Sequence, residues 1–547
     1  SLDNIELATL QQIEVVRGPS STLYGSDAFH SAVSYQTWQP GTSAPQSKLS
    51  AGANDYYHSS LQSAQPLGDD WLLGLALATS QEGNQKSDFD FQSPIDNSID
   101  NDQRALNWDS QTAIIHLMQN NQGDEGFRAS LYYANNDFDD FQGGGNASFP
   151  SYNNDRGSHD GRLWMTRASY RQTLDYELNF ETKLYYWQMT HSQEFIIPTP
   201  LGNLLESSEV DEDRAGVSFI LRQEIKLIAT HWSLETSYEQ AGIEHNKQNR
   251  RNLSNRVSDD SNMVDYRNTD QKNIGLSIDA KTTLSSQWRT VWGGRYDHFD
   301  TFGSAFSPRL GLIYQPIDTT ALKLMYSEAF RAPTAIELKG SSFAKGSSSL
   351  EPEIMQNIEL SLVHSNLQWE LEWNVFHSRW KDRIVLEPFN QDGFTLHYLN
   401  SGESRSTGSE VTLRTQINQW SIQSNASYIF SENQSTDQWI STFPKLIVNL
   451  GFGYSWPTQQ LELFVNNRFH HKVNTGDQAL PPMSKSSAPN YFRTDINLQK
   501  SYQENWQFGL VLRNIFNRDN VLPSIANSFN GIPDRDFDAA LTLAYQH

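Results

Sequence analysis

The sequence predicts an all-β fold, a 22-stranded antiparallel transmembrane β-barrel. Three observations predict it. Apolar residues recur at every second position through segments of about ten residues, the period of a strand with one apolar face. Tight turns alternate with long polar stretches between those segments, as expected of a barrel with short turns on one side of a membrane and long loops on the other. Aromatic residues make up 12% of the 547 residues (15 Trp, 22 Tyr, 28 Phe), yet the mean hydropathy is −0.62. The rings therefore come without the roughly 18 consecutive apolar residues that a membrane-crossing helix needs.

Composition narrows the function classes. A formal charge of −23, from 41 Lys and Arg against 64 Asp and Glu, argues against a nucleic-acid partner held through its phosphates. Cysteine is absent, which removes disulfides, thiolate metal sites and cysteine nucleophiles together and is compatible with an oxidising compartment. Enzyme signatures are missing too. "SGESRSTG" lacks the second glycine of a nucleophile elbow, "KGSSFAKGS" lacks the order of a phosphate loop, and "GGGN" follows no strand-to-helix context. The chain is therefore not expected to be an enzyme.

Taken in order, the chain begins with "QQIEVVRGPSSTLYGSDA" (11–28), an apolar strand that ends in Arg17 and runs into a Gly-Pro-Ser-Ser turn. Alternating segments then follow from about residue 47 to residue 547. In "LIVNLGFGYSW" the outward set is Leu446, Val448, Leu450, Phe452, Tyr454 and Trp456, with Asn449, Gly451, Gly453 and Ser455 facing inward. In "QWELEWNVF" it is Trp369, Leu371, Trp373 and Val375. Trp420 to Tyr428, Trp506 to Leu512 and Leu541 to Tyr545 repeat the pattern. Aromatics at segment ends, such as Trp420, Phe430 and Trp456, read as interfacial girdles. Eleven long loops are expected near 55, 83–107, 138–160, 193–212, 244–270, 301–304, 329–352, 383–401, 431–440, 473–489 and 517–536. A barrel of this size encloses a wide polar lumen that needs a stopper.

The motifs carry a resemblance. Ile13 to Ala28 are similar, nearly position for position, to the end of the plug domain of TonB-dependent outer-membrane transporters. "FSPRLGLIYQP", "YSEAFRAPTAIEL", "SLEPEIMQNIELSL", "GSEVTLRT" and "LRNIFNRDN" follow in that family's order, so the chain resembles the family along essentially its whole length. The resemblance implies that residues 1–46 are the C-terminal remnant of a truncated plug domain and residues 47–547 the barrel, in the bacterial outer membrane. It implies energised import of a scarce nutrient, a ferric siderophore being the family's commonest cargo, with cobalamin, haem, saccharides or peptides as alternatives. The implied partners are a small extracellular ligand, the lipid bilayer and lipopolysaccharide. An inner-membrane energising complex of TonB type would act through the part of the plug that precedes this stretch. The alternative from another class is a plug-deficient surface barrel acting as scaffold, adhesin or passive pore. The family usually ends in an outward aromatic, whereas this chain ends "LTLAYQH", with the ring of His547 in that place.

In the family, plug arginines meet glutamates on the barrel's inner wall, because an unpaired charge in a low-dielectric interior is costly. Parity selects the partners here. In "NIELSL" Ile358, Leu360 and Leu362 point to lipid, so Glu359 points inward; Glu410 passes the same test beside Val411 and Leu413. Arg17 is expected to pair with Glu359, Glu410 or both. The acidic, aromatic "NNDFDDFQGGGN" supplies candidate ligand-loop residues: Asp137, Phe138, Asp139, Asp140 and Phe141. Clustered carboxylates can hold Ca²⁺, but the spacing and terminal glutamate of a Ca²⁺ loop are missing, so a solvated loop is the leading reading and no firm cofactor or metal is expected. No histidine follows the "FRAP" motif, which disfavours haem, while His470 and His471 begin a late loop and read best as a rim pair.

Overall fold

Alternation of side chains across a strand, when neighbouring strands share one register, makes one apolar and one polar surface, and closing the sheet puts the polar surface inside. The computed structural model shows this arrangement. It describes every residue except 1–4, 93–98, 120–124, 141–156, 198–203, 253–265, 267, 268, 341–343, 389–395, 436, 441, 442, 472, 473, 476–485, 488 and 523–531. Twenty-two antiparallel strands form a closed barrel, the first (Gln46–Gly52) pairing with the last (Asp538–Gln546) so that Leu49 lies opposite Leu543. Closure leaves no sheet edge unpaired, which a barrel in lipid requires.

The outward set is the one that parity selects. Leu450, Phe452, Trp373, Val375, Phe508 and Leu541 are all exposed on the outer face. Asn449 faces the lumen, where it donates to Asn425 Oδ1 at 2.8 Å and accepts from Arg468 Nε at 3.3 Å. Rings gather at the short-turn rim: Trp420 meets Tyr454 at 4.6 Å, Trp506 meets Tyr545 at 4.8 Å, and Trp288 stacks on Tyr314 at 4.5 Å. The tight turns there close through left-handed residues such as Ala229, Asn418 and Gln460.

Several expected loops are corrected. Strands Trp71–Gln92 and Ile99–Gln119 run through most of 83–107, Asn179–Ile197 and Leu204–Ile225 through most of 193–212, and Trp369–Pro388 and Leu396–Ile417 through most of 383–401. In these stretches the apolar alternation disappears from the sequence although the strand ladder persists. The connections at 53–56 and 300–302 are tight, so short and long connections do not alternate strictly. Residues 332–352 carry a short helix, Ala335–Lys339, capped by Thr334 and Glu337.

Two strands lie outside the barrel wall and within the lumen. Leu10–Arg17 (β1) pairs with Ser31–Thr37 (β2), placing Val15 opposite Val33 and Arg17 opposite Ser31. A four-residue helix, Ser21–Tyr24 (α1), connects them.

Candidate functional site at the lumenal segment

The leading segment meets the inner wall at several separate places. Arg17 closes β1, and Gly18 turns the chain at φ 77°, a conformation that favours glycine. Arg17 Nη1 donates to Glu410 Oε2 at 2.8 Å, while Glu410 Oε1 accepts from Ser427 Oγ at 3.1 Å. Arg17 is 59% exposed and Glu410 22%, so lumenal water screens the pair and keeps it breakable. Glu359 also faces inward, since Ile358 and Leu360 are exposed outside, but its Oε1 accepts from Ser361 Oγ at 2.8 Å. Among the described residues it does not pair with Arg17.

Beyond Gly18, α1 docks on the wall. Thr22 Oγ1 donates to the Ser307 carbonyl at 2.9 Å, the Phe330 amide donates to Ser21 Oγ at 3.3 Å, and the Asp27 amide donates to the Phe330 carbonyl at 3.3 Å. Gly25, at φ 81°, lies beside Arg295, and an added Cβ would be in ordinary contact with its Nη2 at 3.5 Å. Arg295 is itself held by Asp297 at 2.8 and 2.9 Å and by Ser237 at 3.2 Å. Asp297 is fully buried and also accepts from Asn273 at 3.1 Å, so this buried charge is satisfied on both sides.

Apolar anchors flank the polar contacts. Phe29 is buried against Ala329, Met355 and Trp380. Trp38, following β2, is 1% exposed and packs on Ala76, Ile114, Tyr132 and Ala134 of the inner wall. Its amide donates to the Thr9 carbonyl at 2.8 Å, and Ser110 Oγ donates to the carboxylate of buried Glu6. Beside Phe29, Arg331 of the "FRAP" motif binds Glu353 and reaches both oxygens of Glu337 at 2.8 and 3.0 Å. Glu353 Oε1 accepts from the Ile384 amide at 2.7 Å, which joins the helix after residue 331 to a neighbouring strand.

Burial against the wall pushes the Asp27 carboxyl above its ordinary value, against the charges of Arg214 and Arg331. Burial pulls the His30 imidazole down, against the carboxylate of Glu353. Both side chains keep a face in lumenal water.

The acidic, aromatic candidates lie elsewhere. Asp137 to Asp140 are in the strand Gly126–Asp140 and not in a loop, a further correction with the same cause as the others. Phe138 stacks on His159 at 4.4 Å, and His159 meets His191 edge-on at 4.0 Å. Phe141 lies outside the described residues. Among the described residues no group of three or more His, Asp or Glu could hold a metal ion. His470 and His471 end the strand Leu461–His471, His470 stacked on Tyr491 at 4.6 Å and His471 bonded to Asn490 at 2.8 Å.

A family model described as TonB dependent receptor-like, beta-barrel matches residues 37–515. The chain belongs to the TonB-dependent receptor family. It is a bacterial outer-membrane protein. It is 27% identical over 270 residues to an iron-regulated outer membrane virulence protein of Vibrio cholerae, a match covering 44% of this chain and 40% of that relative, less than half of the relative's length. It is 23% identical over 515 residues to a hemin receptor of Yersinia pestis, covering 83% of this chain and 70% of that one. Among solved structures it is similar to the pyoverdine outer membrane receptor of Pseudomonas aeruginosa, with a TM-score of 0.78 at 14% identity over 99% of this chain and 84% of the other. A ferric enterobactin receptor of Pseudomonas aeruginosa gives a TM-score of 0.76 at 14% identity, covering 98% and 85%.

In this TonB-dependent receptor the anchors Trp38 and Phe29 and the hub Arg331–Glu353–Glu337 were not singled out by sequence reasoning. The "FRAP" arginine was visible within a motif, and its partners Glu337 and Glu353 lie in the adjoining "AIEL" and "LEPE". Trp38 carried no signal beyond its place at the end of an alternating strand.

Proposed function

We propose that this chain is the barrel and the last part of the plug of an energised outer-membrane importer, with an iron chelate as cargo. The observation that carries the reading is a wide lumen occupied by the chain's own leading segment through polar contacts that a pull could break: Arg17 with Glu410, Thr22 with Ser307, and Glu6 with Ser110. Charged and hydrogen-bonded latches suit this task because their strength depends on geometry, whereas an apolar interface resists sliding less selectively. The relatives named for iron regulation, hemin and pyoverdine support iron as the element carried. The β1–β2 hairpin also leaves Ile13, Val15 and Val33 exposed on one face. An isolated two-stranded ribbon is marginal in water, so this face favours further plug sheet packed on it over a bare surface barrel.

In this reading a ligand taken up outside rests on the apex formed by α1 and the residues up to His30. An inner-membrane partner of TonB type pulls the plug from the other side. Deleting the gene and growing the cells on single iron sources tests it: ferric tricatecholate, ferric trihydroxamate, ferric citrate or haemin. Growth on one of these should fail and return on complementation. Undiminished growth and radio-iron uptake on every source would overturn the iron reading.

A further inference from the structure

One lumenal feature at the apex is left unexplained by plug docking alone. The strand Trp369–Pro388 loses its regular pairing after Trp380: Trp380 opposes Ser404, and Arg383 opposes Gly402. Asp382 sits between them in the left-handed region at φ 54°. In an unbroken strand, side chains three positions apart face opposite sides of the sheet. The bulge turns both into the lumen, so that the Arg383 guanidinium lies over the Trp380 ring with its Cζ 4.4 Å from the centroid. Gly402 leaves the room, since a Cβ there would come within 2.8 Å of Arg383 Cβ. The Trp380 ring also meets Phe29 edge-on at 5.5 Å and His30 at 5.1 Å, both in the leading segment.

Among the described residues the donors of this pair are unspent: Trp380 Nε1 and Arg383 Nε are buried with no acceptor. Among the described residues the Arg383 guanidinium makes no hydrogen bond or ion pair. The nearby carboxylate of Glu353 is taken by Arg331 and by the Ile384 amide. A buried N–H with no partner is costly, and two on neighbouring side chains that lack one among the described residues suit an acceptor brought by a bound group. A planar guanidinium placed over an indole ring is also the donor best suited to a paired-oxygen acceptor.

We infer that Trp380 and Arg383 form a subsite for an oxyanion, a carboxylate-, phosphate- or catecholate-type oxygen group, at the apex of the leading segment. That the oxyanion belongs to the cargo rests on the import reading; its binding does not.

Crystals of the full chain soaked in selenate test the subsite through anomalous scattering. A peak is expected within hydrogen-bond reach of Arg383 and Trp380, weaker in Arg383→Lys and Trp380→Phe and lost in Arg383→Gln. A wild-type crystal without that peak overturns the inference. In solution, Arg383→Gln should weaken binding of the anionic ferric tricatecholate about tenfold and leave the neutral ferric trihydroxamate unchanged. Equal losses for both chelates would refute a charge-reading subsite. Selenate bound in the absence of binding to either chelate would uphold the subsite and count against the iron-chelate reading.

Discussion

Placing an arginine at Leu450 and, separately, at its neighbour Asn449 measures which face of the wall meets lipid. Leu450 lies in the strand Leu446–Trp456, six residues from Trp456 of the aromatic rim, and is exposed on the outer face. At about 3.3 Å per residue and about 40° of tilt, six residues place it about 15 Å above that rim, near the middle of an apolar band about 25 to 30 Å tall. A cation at that depth should cost about 2 to 4 kcal/mol. Asn449 points into the lumen and would lose only its hydrogen bonds with Asn425 and Arg468. In a water-filled interior that loss should be about 1 kcal/mol or less. Urea titration of the barrel folded into phospholipid vesicles, with the heat-dependent shift in gel mobility as the measure of folded fraction, gives both differences. Equal costs at the two positions, or a larger cost at Asn449, would refute the assignment of faces on which the barrel rests.

Two further outcomes concern the leading segment. Glu410→Gln should loosen it by about 1 kcal/mol or less, since Arg17 is largely in water, while Glu359→Gln should add nothing. A cysteine reporter at Ser26, scored for thiol labelling against urea, reads this, and a larger effect at Glu359 would contradict the geometry. The second outcome concerns pH. Docking raises the Asp27 carboxyl above its ordinary 3.8, so the docked form binds a proton more tightly than the released form. Docking should therefore be weakest at neutral pH and strengthen as pH falls through the raised value towards 3.8. Asp27→Asn should tighten docking at neutral pH and remove this component of its pH dependence. Unchanged labelling of the Ser26 reporter across that range in both proteins would show that Asp27 does not titrate against the wall.

Most of the barrel was legible in the sequence because lipid imposes a local rule. Every second residue must be apolar for as long as a strand crosses the membrane, so Leu446 to Trp456 or Trp369 to Val375 declare their outward face without knowledge of any partner. The stretch from Ile13 to Ala28 was readable only through its resemblance to the family's plug motif, since a strand, an arginine and a glycine turn occur in many other contexts. Strand length was not readable. In Trp71–Gln92 the apolar alternation that marks a strand gives way to the polar run "GNQKSD" (83–88), while the ladder continues to Gln92.

The choice between Glu359 and Glu410 also lay beyond the sequence. Parity admits both, and only the stacking of strands around the barrel sets which carboxylate stands level with Arg17. The bulge at Asp382 shows the limit most plainly. Counting residues puts Trp380 and Arg383 on opposite faces, yet one left-handed residue, a slipped register against Ser404 and Gly402, and the ring of Trp380 bring both to the lumen. The sequence by itself determined which residues face lipid, because that depends on neighbours along the chain. Which lumenal groups touch was decided only by the closed tertiary structure, because residues hundreds of positions apart meet there at heights that no local pattern records.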